Sequence, residues 1–194
     1  MKKLIGSLSL LAIVMAMVVG SAFAATTQTQ TATVSVASLI SIEFASATDT
    51  TFGSGGIPWT SIDPTSNLVY PTGHASTKAD TAVICKYNGT GNWALKMKFN
   101  STNGLDGKLK YYMDKPYYNG VQTNGTLGNP VPASGADWPI VPTSDLTVYT
   151  CGTADRTNVP NGTFVGVSYG LNPQGLATGT TYGGTITYTI AGGL

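Results

Sequence analysis

Side chains able to trade protons, attack a carbonyl or hold a metal are few in this 194-residue sequence. There is one histidine, His74, in the turn-like run PTGHAST, and a single histidine cannot build a metal cluster alone. Ser76 is its neighbour in sequence, which is no sign of a nucleophile and base brought together by a fold. The expected state of His74 is a solvated loop residue. The carboxylates are scattered: Glu43, Asp49, Asp63, Asp80, Asp106, Asp114, Asp137, Asp145 and Asp155. Asp114 and Asp137 could serve as the acid pair of a glycoside hydrolase only at a fixed separation, and no motif sets one. Asp63-Pro64 and Asp106-Gly107 read as turns. Loop carboxylates and carbonyls leave a calcium site open, but no EF-hand spacing occurs. No catalytic residue, metal ligand or cofactor is assigned, and the chain is expected not to be an enzyme.

Other residues suggest structural chemistry. Cys85 and Cys151 are too far apart for a redox CxxC pair, and in an exported chain they are expected to form one disulfide. Closing a loop of that length stabilises by about 4 kcal/mol in the chain-entropy treatment. Asn88, Asn100, Asn124 and Asn161 each begin an N-x-S/T sequon and are candidate N-glycosylation sites. Trp59, Trp138 and the run KYYMDKPYYNG (110–120) could offer flat faces to a sugar. The same rings could equally be core, strand-edge or subunit-contact residues. Exposed tryptophans on one flat face would favour sugar binding, and buried ones packing.

The first residues read as a cleaved signal peptide, 1–24. Lys2 and Lys3 are its charged start, 4–19 its apolar run, and Ala22-Phe23-Ala24 its cleavage site. No later stretch is long and apolar enough to span a bilayer, so the mature protein is expected to be secreted, extracellular or cell-surface, with no membrane segment. Removing Lys2 and Lys3 from ten Lys+Arg leaves eight against nine Asp+Glu, a net charge near −1. That balance lacks the basic footprint of a nucleic-acid binder. Charged residues are 10% of the chain, well under the roughly 25% of ordinary soluble domains. Polarity comes from Thr, Ser, Gly, Asn and Tyr instead, which suits proteins that pack against copies of themselves.

These residues must be positioned by strands. Val34, Val36, Ile40, Ile42 and Phe44 alternate with mostly polar neighbours, as do Trp93, Leu95, Met97 and Phe99, and Tyr182, Ile186, Tyr188 and Ile190. Period two with one apolar face marks half-buried antiparallel strands. Weaker alternation covers 81–87, 109–113, 146–150 and 164–171, with turn clusters between. No helical period follows the signal peptide. The expected fold is all-β: a single antiparallel immunoglobulin-like β-sandwich of about seven to nine strands over 25–194. A Pro/Gly-rich excursion is expected across 123–145.

Three resemblances sharpen these expectations. LATGTTY, 176–182, resembles the tyrosine-corner stretch of immunoglobulin-like domains, which implies a hydrogen bond from Tyr182 back to the preceding turn. Trp93-Ala94-Leu95 is similar to the first motif of WxL cell-wall-binding domains. The second motif would fall at Tyr188-Thr189-Ile190, where Tyr and Ile replace Trp and Leu. This resemblance implies a wall-associated adhesin or a carbohydrate-binding sandwich, with cell wall or surface glycans as partners. The opening stretch 25–44 resembles the donated N-terminal strand of pilus and biofilm-fibre subunits. That implies a structural homopolymer in which Val34, Val36, Ile40 and Ile42 fill a neighbouring copy's core, at about 2 kcal/mol per buried aliphatic side chain. Alternatively the stretch folds into its own domain, or divides near Ser38 with 26–37 leaving and 39–45 staying.

Overall fold

The computed structural model describes residues 39–60, 62–113, 116–118, 121–123, 125–128 and 138–192. Among the described residues ten strands follow in chain order. They are β1 (Ile40–Phe44), β2 (Thr81–Tyr87), β3 (Trp93–Thr102), β4 (Leu109–Met113), β5 (Tyr117–Tyr118), β6 (Val121–Gln122), β7 (Thr126–Leu127), β8 (Leu146–Thr150), β9 (Thr163–Leu171) and β10 (Gly183–Gly192). They form two antiparallel sheets in a β-sandwich arrangement, as the period-two pattern implies. The first sheet runs β1-β2-β9-β5-β6, with β4 also on β9; the second runs β10-β3-β8-β7. Met113 pairs with Val167 and Tyr117 with Phe164, both on the side of β9 away from β2. β4 and β5 thus lie end to end along one side of β9.

Alternation decides what is buried. Trp93, Leu95, Met97 and Phe99 from β3 meet Val165, Val167, Tyr169 and Leu171 from β9 in one core, with Leu109, Tyr111 and Met113 from β4. Lys96 and Lys98 face the other way, and Lys98 pairs with Asp145 at 3.7 Å. A part-buried hydrogen bond joins the hydroxyls of Tyr169 and Tyr188, tying the two sheets together. Burial holds both phenols protonated well above their usual range.

The two flanks of the sandwich differ. On one, residues 139–141 pair with β4, through Tyr111 N–H to Pro139 O at 3.0 Å and Val141 N–H to Leu109 O at 2.8 Å. The chain then crosses to the second sheet, where Phe99 N–H donates to Pro142 O at 2.7 Å. That flank is closed by a strand-like crossing. On the other flank the sheets end at β1 and β10, which share no ladder.

Two regions depart from the pattern expected. Residues 45–80 form no long strand, yet they cover the outer face of the first sheet. Leu68 lies over Gly170 and Ala79 over Gly166, where a Cβ would collide, so the glycines make room for the covering segment. Three two-residue strands, β5 to β7, were too short to leave a periodic trace. Removing the wholly buried Leu95 side chain (Leu95→Ala) should cost about 2–5 kcal/mol in urea denaturation. Thr189→Ala, on an exposed position of β10, should stay within about 0.5 kcal/mol. Equal losses would contradict the assignment of faces.

Candidate functional site

β10 is the longest unpaired edge among the described residues. It spans ten residues and pairs on one side only, with β3. The edges at β6 and β7 are two residues long, short enough to resist pairing with another chain. β10 has no charge, proline or bulge to guard it: its sequence is GGTITYTIAG. Such an edge presents a row of backbone donors and acceptors ready for another strand.

Beside it the core lies open. β1 and β10 converge at one end, where a Cβ on Gly192 would approach Ile40. At the other end of β1, Phe44 meets Tyr188 edge-on at 6.2 Å between ring centroids. Beyond Phe44, β1 has ended while β10 continues. The gap holds a cavity of about 240 Å³ between Ile42, Phe44, Val83, Ile186 and Tyr188. It adjoins, through the shared Phe44 and Ile186, a cleft of about 710 Å³ floored by Phe99, Leu105, Leu109 and Leu171. Ile57, Trp59 and Ile62 form its far wall. Ile40, Ile42 and Phe44 share the inward face of β1, yet Ile40 is 45% and Phe44 49% exposed. Apolar side chains that point inward and remain wet mark a missing cover.

The donated-strand residues expected from sequence fall into two groups. Val34 and Val36 lie outside the described residues. Ile40 and Ile42, also expected to be donated, pair in this structure with Tyr87 and Cys85 of β2 in their own chain. Glu43 bridges to Lys86 at 2.5 Å, and Leu39 is held at both its N–H and C=O by Asn88. These bonds confine any donated segment to residues before Leu39.

A second cluster is buried at the β8–β9 end. Asp155 is wholly buried; its carboxylate accepts from Tyr149 OH at 2.7 Å, Gly152 N–H at 2.7 Å and Thr163 OH at 3.2 Å. Its carbonyl accepts Trp93 Nε1–H at 2.9 Å. Asn158 donates to Cys85 O at 2.8 Å and Thr163 Oγ1 at 2.7 Å, and accepts Tyr87 N–H at 2.7 Å. Burial, then the carboxylate, push the Tyr149 phenol and both thiols upward. The disulfide expected of Cys85 and Cys151 is not formed in this structure: both are buried free thiols, with Trp93 N–H donating to the Cys151 sulfur at 3.1 Å. Thiols kept protonated in a sealed core are poor nucleophiles for exchange.

The remaining candidates resolve individually. His74 is not the solvated residue expected: its side chain is 16% exposed, and Nδ1 lies 2.7 Å from the buried Asp80 carboxylate. Asp80 also accepts Tyr169 N–H at 2.7 Å. The covering segment 62–80 carries His74 onto the sheet, which sequence spacing cannot reveal. Its ring stacks on Tyr70 at 4.7 Å, Tyr70 meets Trp138 at 5.7 Å, and Trp138 stacks on Tyr112 at 5.2 Å. The His74–Tyr70 and Trp138–Tyr112 contacts are stacked, the Tyr70–Trp138 contact is edge-on, and Tyr70 stays 44% exposed. Trp59 is half-buried elsewhere, in the cleft wall, donating to Val69 O at 3.2 Å. Trp93 and Leu95 of the WxL-like motif are wholly buried, and Leu95 pairs with Ile190. Hydrogen bonds from the Thr65 hydroxyl and N–H, in that order, hold the Asp63 carboxyl below its usual range in a turn. Asp114 and Asp137 lie outside the described residues. No three His, Cys, Asp or Glu cluster around a metal-sized site among the described residues. Of the sequons, Asn100 and Asn161 are exposed, Asn88 is half-buried, and Asn124 lies outside the described residues. Tyr182 OH accepts Ala177 N–H at 2.7 Å, the bond its sequence context implied. Comparison with protein-family models, with curated proteins and with solved structures returned no match.

Asp155→Ala should lower stability by about 2–4 kcal/mol in urea denaturation, because buried donors on Tyr149 and Gly152 lose their acceptor. Asp155→Asn, which keeps an acceptor oxygen, should lose less. No loss from Asp155→Ala would mean the cluster does not anchor this end of the sandwich.

Proposed function

We propose that the chain is a secreted structural subunit of an extracellular filament or pilus, an immunoglobulin-like sandwich that assembles with copies of itself by donating its N-terminal strand. The unguarded ten-residue edge of β10 beside an open apolar cleft carries this reading. A free edge next to exposed core is an invitation to pair, and a second copy's strand answers it while leaving that copy's own edge open. The segment before Leu39 suits the role. Residues 25–38 contain no charge, and Val34 and Val36 alternate with Thr33, Ser35 and Ala37. Burying the two valines contributes about 4 kcal/mol, with backbone pairing added. The Tyr182–Ala177 bond and the central buried Trp93 support the immunoglobulin-like type. A scarcity of charge suits a surface that meets copies of itself. The stacked aromatic cluster of Tyr70, His74, Trp138 and Tyr112 closes on itself and offers less to a sugar.

The mature chain with and without residues 25–37 should behave differently in light scattering and negative-stain electron microscopy. Fibres or an oligomer ladder from the whole chain, with small species from the shortened one, is the expected result. Compact monomers of equal stability in both cases would end the filament reading.

A further inference from the structure

We infer that the cleft takes residues 32–37 of a second copy, antiparallel to β10, with Val36 beside Ile186 and Val34 beside Tyr188. This rests on the strand-donation reading and specifies its edge, direction and register. Three observations set them.

The first is taper. The walls meet at Ile40 and Gly192 and part toward Gly183. In the antiparallel register, Val36 falls at the open part by Ile186, Val34 beside the cavity at Phe44 and Tyr188, and the smaller Ala32 near Ile190 as the gap narrows. Antiparallel pairing is also the more stable ladder per residue. The second is parity. Ile186, Tyr188 and Ile190 face the core. Their cross-strand partners must share that face, which selects the even-numbered valines and puts Ser35 beside the outward Thr187.

The third is where the donor leaves its own body. Leu39 is pinned to Asn88 at the narrow end of its own cleft. The mouth that receives a strand lies at Gly183, the other end of the ten-residue β10, roughly 30 Å away. Donor and acceptor ends therefore lie at opposite ends of one subunit, the heterologous geometry that propagates in a line rather than closing as a dimer. Filling its own cleft would demand a reversal at Ala37-Ser38. That stretch has none of the Gly, Asn or Asp that tight hairpins use.

The test uses the whole mature chain. One variant carries Val36→Cys with Ile186→Cys; a second carries Ser35→Cys with Thr187→Cys, both on the solvent face, so that folding is not at stake. A parity control carries Val36→Cys with Thr187→Cys. Each is prepared light and ¹⁵N-labelled, mixed before assembly, oxidised gently and mapped by mass spectrometry. Light-to-heavy links in both test variants, as abundant as the two like-labelled links together, and few in the control, are expected. Like-labelled links alone, in monomers, would place each chain's strand in its own cleft and overturn the inference. Fibres without either link would also overturn it, while leaving the filament reading intact. Absence of both fibres and links would sink the two together.

Discussion

A β-sandwich edge must be covered, and here one flank is covered and the other is not. Residues 139–142 cross from the first sheet to the second and close the β4 side with backbone hydrogen bonds. On the opposite side a five-residue β1 faces a ten-residue β10, so half of β10 has no strand across from it. The wet, inward-facing Ile40 and Phe44, the paired cavities and the unguarded edge all follow from that mismatch in length. An unpaired backbone row beside exposed core is costly to leave bare, which is why the uncharged, alternating segment ahead of Leu39 acquires meaning.

The open flank persists because its walls are fixed from behind. The Tyr169–Tyr188 hydroxyl bond holds β10 against β9, and the bonds around Asp155 lock the β8–β9 end to Trp93 on β3. Collapse of the cleft would have to break these buried polar links, whose loss is expensive in a low-dielectric interior. The glycines at 166 and 170 let the 62–80 segment lie over the outer face, so that face is occupied while the β1–β10 flank stays open.

Strands with one clean apolar face were legible in the sequence: β2, β3, β4, β8, β9 and β10 lie within three residues of the alternating runs. Alternation encodes burial directly, and burial is what a sheet face requires. The run 34–44 showed its period but not its partner. Nothing local distinguishes Ile40, which pairs with Tyr87, from the residues before Leu39. Tertiary pairing decides that. The covering role of 62–80 was hidden for a related reason: glycines that admit Leu68 and Ala79 sit about a hundred residues away on β9. The same distance concealed the His74–Asp80–Tyr169 link and the gathering of Cys85, Tyr149, Asp155 and Asn158, whose residues carry no shared spacing.

The central claim is that the β10 edge is completed by another copy. Amide hydrogen exchange of the chain from Ala25 onward, followed over Gly183–Tyr188 across a range of protein concentrations, tests it most directly. Protection along this stretch should grow with concentration and vanish when Val34 and Val36 are both replaced by aspartate. Exchange that stays fast at every concentration, or protection that is already complete in the dilute monomer, would contradict it.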